Sequence, residues 1–287
     1  MPIGFIAFEF DPVLRLADGL AVRWQTVALV AIVAAGLVAT GLIARRNGLR
    51  ADDLLFIAVA VVPGAVIGGR LGYVLSHLDY YAANTTAIAD PGQGSMELAL
   101  AVVGGILSGG YVASLLGAPI GQWLRSAALP LLFVLGGGKL AMVLGGVGQG
   151  QPSTLPWATA YLGAGPWGSL AQEVPSHPSQ AYEGILTLTI LAVLSLALAV
   201  GAIRVPDGRL FVGGIAAWAV GRTATSLTWR DEAAVVGLSV GGLIAAAVAL
   251  GLVGMLFFSA RRQPRSASLK PAKGEVGWAD PETRPRF

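Results

Sequence analysis

A chain of 287 residues that is 55% hydrophobic and only 12% charged has too little polar surface to cover itself in water. Its net charge of +3 and pI near 9.4 come largely from loops and tail, so they read as orientation signals and not as a nucleic-acid footprint. Zero cysteines exclude disulfides, thiolate metal sites and a cysteine nucleophile, and two histidines, His77 and His177, argue against a histidine-rich metal site.

The stretch Met1–Ala21 holds acidic residues and Pro12 but no basic leading segment and no small-residue cleavage pattern. No cleavable signal peptide is expected, and the first apolar segment reads as a span that stays in place. A bilayer crossing needs roughly 20 apolar residues, and that length draws spans at 24–44, 53–77, 97–117, 127–147, 180–203, 209–228 and 234–259. Arg45, Arg46 and Arg50 follow the first span, Arg125 follows the third, and Arg204 and Arg209 flank the loop after the fifth. Arg261, Arg262, Arg265, Lys270 and Lys273 follow the last. The alternate loops 78–96 and 148–179 carry no Lys or Arg, and the last outer loop has only Arg230. The positive-inside rule therefore puts the N-terminus outside and the C-terminus in the cytoplasm. The expected fold class is all-α, a polytopic membrane protein.

Residues 1–259 read as one transmembrane domain. Within it, 148–179 are rich in Pro, Gly, Ser and Trp, too broken for a regular helix. They predict a small outer cap or gate, with Trp157 and Trp167 at the membrane interface. Residues 260–287 are basic, polar and proline-containing, the composition of a disordered cytoplasmic tail suited to anionic lipid. No internal repeat is visible, which weakens a transporter built from inverted halves.

Four ionisable residues fall inside the spans: Arg70, Lys139, Arg222 and Glu183. Each costs about 2.5–3.5 kcal/mol on insertion scales, so each is a functional candidate unless it snorkels or forms a structural ion pair. Spans two, four and six run outward with their cations in the latter half, and span five runs inward with Glu183 at its start. All four groups therefore share the outer half of the bilayer. Three cations against one anion leave a positive surplus suited to an anionic ligand such as a phospholipid phosphate. Glycines surround two of the cations, in Gly68-Gly69-Arg70-Leu71-Gly72-Tyr73 and Gly136-Gly137-Gly138-Lys139. Such runs serve close helix packing or leave room for a ligand. The stretch from Ser176 to Glu183 presents His177, Ser179, Gln180 and Glu183 near the same depth. Ser179 also fits an N-cap, with Gln180 and Glu183 in the first helical turn. His77 ends span two at the interface and is given no catalytic role.

In order and spacing, these segments resemble the bacterial prolipoprotein diacylglyceryl transferase family. The resemblance runs from Phe10-Asp11-Pro12-Val13 and Arg23-Trp24 through the Arg70 motif and Gly104-Gly105. It continues through the glycine-rich span four, His177-Pro178-Ser179-Gln180 and Tyr182-Glu183, and closes with Gly208 and Gly221-Arg222. It implies a multi-pass protein of the bacterial cytoplasmic (inner) membrane. It implies transfer of the diacylglyceryl group of phosphatidylglycerol to a lipobox cysteine thiol of a preprolipoprotein, without cofactor. Arg70, Lys139, Arg222, Gln180 and Ser179 would then hold the phosphate and substrate, and His177 or Glu183 would accept the proton. The pattern departs from the family at Val103, where the family has a histidine, and at Lys139 and Met142, where it has arginine and asparagine. Gln25 replaces a tyrosine, and Ser226 stands at an acidic position. Phosphate recognition is thus largely retained and acid–base chemistry largely lost. The alternatives are a catalytically silent or repurposed anionic-lipid-binding homologue and, in a different class, a transporter or channel.

Overall fold

The computed structural model describes residues 4–17, 19–90, 92–203 and 208–261. Most of the expected tail, 262–287, lies outside the described residues, as does Arg204. The apolar run after Trp24 forms α1 (Trp24–Arg46), followed by α2 (Ala51–Ser76), a short α3 (Leu78–Ala83) and a 3₁₀ turn at Thr85–Ile88. Then come α4 (Leu98–Leu115), α5 (Ile120–Val143), α6 (Ser179–Ala199), α7 (Arg209–Ser226) and α8 (Val240–Arg261). Every expected span has its helix. Two boundaries move. The helix α5 begins at Ile120, so Arg125 belongs to its first turns and not to a loop, because Trp123 and Leu124 extend the apolar face toward the basic end. The last helix starts only at Val240, because 233–239 form a hairpin.

Six of these helices are long and apolar enough to cross a membrane, and the described chain is that of a polytopic helical membrane protein. Apart from the short α3, the exception is α7. Twelve of its 18 residues are buried, against an outward-facing apolar surface on the other helices that includes Val30, Val38, Ile67, Leu107 and Leu250. It packs on α5, α6 and α8 around Leu132, Ile215, Trp218, Ala219 and Ala245. A helix shielded by its neighbours needs no apolar circumference, which is why α7 tolerates Arg222, Thr225 and Ser226 on buried positions. The other tight pairs are α2 with α4, α5 with α6 and α1 with α5.

Short strands, absent from the sequence-based expectation, lie ahead of α1 and between later helices. β1 (Ile6–Phe8) pairs in parallel with β4 (Thr159–Tyr161), Ile6 opposite Thr159. β2 (Val13–Ala17) and β3 (Leu20–Arg23) form a hairpin, as do β5 (Ala233–Val235) and β6 (Leu238–Ser239). The β1–β4 pair ties the N-terminal segment to 148–179. Phe8 stacks on Tyr161 with ring centroids 5.1 Å apart, and Phe10 meets Trp167 edge-on at 5.1 Å. Trp167 is therefore buried, its indole Nε1 donating to the Gly163 carbonyl at 2.7 Å, whereas Trp157 is half exposed. The expectation of both tryptophans at an interface is corrected for Trp167: its ring is filling this small folded layer.

Candidate functional site

The site begins with close approach of α5 and α6. A methyl group added at Gly184 would sit 3.0 Å from the Gly136 carbonyl oxygen and 2.9 Å from Leu140, so the two glycines let the helices touch. That contact brings the Lys139 ammonium to 2.9 Å from Glu183 Oε2. From α7, Arg222 Nη1 donates to both oxygens of Glu183, at 2.7 and 3.0 Å. Its Nη2 donates to Glu97 Oε1 at 3.0 Å. Glu97 caps α4: Oε1 accepts the Ala99 N–H at 2.8 Å and Oε2 the Leu100 N–H at 2.7 Å. An acid at a helix N-terminus meets both the unpaired N–H groups and the positive end of the dipole. Gly72 makes room for it, since a Cβ there would lie 2.7 Å from Glu97 Cβ. Glu97, Glu183 and Arg222 are all buried.

Four helices thus contribute one charged group each to a network of two cations and two carboxylates. The positive surplus expected from the sequence is not present at this cluster, for two reasons. Glu97 supplies a second anion, and Arg70 points elsewhere. Arg70 Nε donates to Ile88 O at 2.7 Å, Nη1 to Gln93 O at 2.5 Å, and Nη2 to Ala87 O at 2.5 Å and Asp90 O at 3.1 Å. Its guanidinium organises the loop between α2 and α4, over the Tyr81 ring at 5.2 Å. Glu97 was available to sequence reasoning as the polar residue directly ahead of an apolar run, but helix depth alone gives no partner for it.

The cluster forms the floor of an open cavity of about 950 Å³. Lys139, Glu183, Arg222, Glu97 and Gln180 line its inner part, and His77, Asp79, Arg230, Asp231 and Glu232 line its mouth. The Gln180 amide nitrogen donates to the Tyr161 hydroxyl at 3.0 Å, while its Oε1 is buried without a hydrogen-bond partner among the described residues. Burial pushes the Tyr161 phenol up to about 12, so it stays neutral and holds the amide across the physiological range. Arg222 Nε is likewise buried and without a hydrogen-bond partner among the described residues, its guanidinium 4.6 Å from the centre of the Trp229 ring. The cavity wall thus holds two residues that each keep one buried polar atom with its hydrogen bond unmet.

The other expected site residues are not on the cavity wall. Ser179 opens α6 but does not cap it; its hydroxyl lies 2.7 Å from Thr228 Oγ1 and donates to Thr228 O at 3.1 Å. His177 does not line the cavity either, its Nδ1 lying 3.3 Å from the Tyr182 hydroxyl. Arg230 Nε bonds Gly150 O at 2.9 Å and Nη2 bonds Ser176 Oγ at 3.0 Å, completing a lock between the outer loop and the end of α7. The lining residue that sequence reasoning set aside is His77, brought to the mouth by the end of α2. Val103 is half-buried in α4 and does not line the cavity, whereas Met142 does.

A family model described as prolipoprotein diacylglyceryl transferase matches residues 12–258. Among curated relatives, a phosphatidylglycerol–prolipoprotein diacylglyceryl transferase of Geobacter sulfurreducens is 30% identical over 81% of this chain and 87% of its own length. The protein of that name from a Nostoc strain is 26% identical over 95% of this chain and 98% of its own. The one from Bordetella avium is 32% identical over 65% and 70%.

Proposed function

The chain belongs to the prolipoprotein diacylglyceryl transferase family, and on that premise we propose that it moves the diacylglyceryl group of phosphatidylglycerol onto a cysteine thiol of a prolipoprotein. The reaction is set in the bacterial cytoplasmic membrane, with the cavity opening to the outer side. The observation that carries the reading is the cavity itself, floored by a buried Lys139–Glu183–Arg222–Glu97 network. Insertion of two cations into a membrane demands compensation, and the two carboxylates supply it. Compensation does not exhaust the donors. An ammonium has three N–H groups, and Lys139 keeps part of its side chain open to the cavity. The Arg222 Nε–H is a second unpaired donor, buried beside the Trp229 ring in this structure. Both suit the phosphate, and Gln180 Oε1 suits a hydroxyl of the glycerol head group. Donors fixed in place before reaction stabilise the phosphate oxygen as it departs, with no reorganisation at that moment.

Complementation of a transferase-depleted bacterium tests this directly: the expected result is the mass gain of a diacylglyceryl group on its lipoproteins. Unmodified lipoproteins despite normal membrane levels of the chain overturn it. A second reading, an anionic-lipid-binding homologue without turnover, is favoured by one observation: both buried carboxylates are fully engaged and Val103 offers no base. It expects phosphatidylglycerol binding without transfer. Lys139→Gln weakens that binding about tenfold under either reading, the worth of one charge-assisted hydrogen bond.

A further inference from the structure

Transfer to a thiol requires a proton acceptor, because the thiolate is the nucleophile and a free cysteine has a pKa of about 8.5. The buried carboxylates are poorly placed for that task. Both oxygens of Glu183 face cations, and both oxygens of Glu97 accept backbone N–H groups, one of them also Arg222. Protonating Glu183 would take the facing charge from Lys139, and protonating Glu97 would remove one of the two carboxylates that face Arg222. His177 does not line the cavity. Asp79, Asp231 and Glu232 also line the cavity, but a carboxylate is intrinsically a much weaker base toward a thiol than an imidazole is.

His77 is the histidine in the cavity wall. Its ring stacks on Tyr73, centroids 4.2 Å apart at 29°. Its Nδ1 lies 2.9 Å from the Tyr73 carbonyl oxygen. A carbonyl only accepts, so Nδ1 carries the hydrogen, and in the neutral ring the lone pair is on Nε2. Among the described residues Nε2 has no hydrogen-bond partner. The stack and the carbonyl together fix the ring's tautomer and orientation, as an orienting group does for a general base.

Resting on the transfer reading above, we infer that His77 is the general base of this chain, taking up at Nε2 the proton of the acceptor thiol. The sulfur then forms its bond to the glycerol carbon as that carbon's C–O bond to phosphate breaks. The bonding pair leaves with the glycerol phosphate, held by Lys139 and Arg222. The imidazolium returns its proton to water, and neutral His77 is restored. The base thus stands at the end of α2.

The test measures diacylglyceryl transfer to a lipobox peptide by purified full-length protein in phosphatidylglycerol vesicles, alongside phosphatidylglycerol binding. His77→Ala is expected to lose about 100-fold in transfer, the usual worth of a positioned base, to bind lipid as wild type does, and to regain activity with added imidazole. His77→Gln, which keeps a donor for the Tyr73 carbonyl but has no basic nitrogen, is expected to be as slow as His77→Ala. Wild-type rates in either variant overturn the inference while leaving the transfer reading intact. Loss without imidazole rescue makes His77 structural and also overturns it. Absence of transfer by the wild-type chain overturns the reading and the inference together.

Discussion

Two arginines lie within helices of this membrane protein and are used in opposite ways. Arg222 directs its guanidinium to carboxylates on two other helices and connects α4, α6 and α7 at the cavity floor. Arg70 directs four hydrogen bonds to backbone carbonyls of the loop that follows its own helix and does not line the cavity. The first is a charge whose partners are charges; the second is a charge dissolved by dipoles. An arginine inside a span is therefore a statement about cost, and what offsets the cost decides whether it serves the fold or a ligand.

The sharpest way to break this comparison is Arg222→Met. It leaves Glu183 with one cation and Glu97 with none, and breaking a buried pair from one side costs about 3–5 kcal/mol. Thermal unfolding in detergent is expected to fall by roughly 10 °C for a domain of this size. An unchanged midpoint means the carboxylates do not depend on Arg222. Arg70→Ala removes hydrogen bonds that water partly replaces, so about 1.5–3 kcal/mol is at stake, concentrated in 84–95. Limited proteolysis is expected to accelerate there and nowhere else. A loss of phosphatidylglycerol binding as large as that of Lys139→Gln would instead make Arg70 a ligand contact and erase the distinction. The smallest effect belongs to Glu97→Gln, which keeps one capping oxygen but removes the charge facing Arg222. A loss of about 1 kcal/mol is expected, read as a small drop in the same unfolding midpoint. A drop matching Arg222→Met would show that the network has only one indispensable pair.

Much of the architecture was legible because lipid imposes a simple length rule. Every expected span has its helix, and α7 differs from the rest only because its neighbours shield it. The helix ends err where local chemistry competes with hydropathy, as at 233–239. There Val236 and Gly237 both take positive φ, 52° and 76°, and turn an apolar stretch into a hairpin. The candidate site was legible in part. Lys139, Gln180, Glu183 and Arg222 meet in one cavity. Ser179 and His177 were close in sequence but turn away, since successive residues at a helix start point in different directions. Glu97 and His77 were missed because each belongs to a helix end, where hydropathy reads a boundary and not a site.

By itself the sequence determined where the long apolar helices run and which of them carry charged residues. Those properties run along a helix axis and follow from a rise of about 1.5 Å per residue and from the cost of charge in lipid. The tertiary structure decided who pairs with whom. Lateral partners depend on helix rotation and on glycine-permitted approaches such as Gly136 to Gly184. Only those contacts turned an apparent surplus of positive charge into a balanced network with two spare donors, and set His77 on the cavity wall.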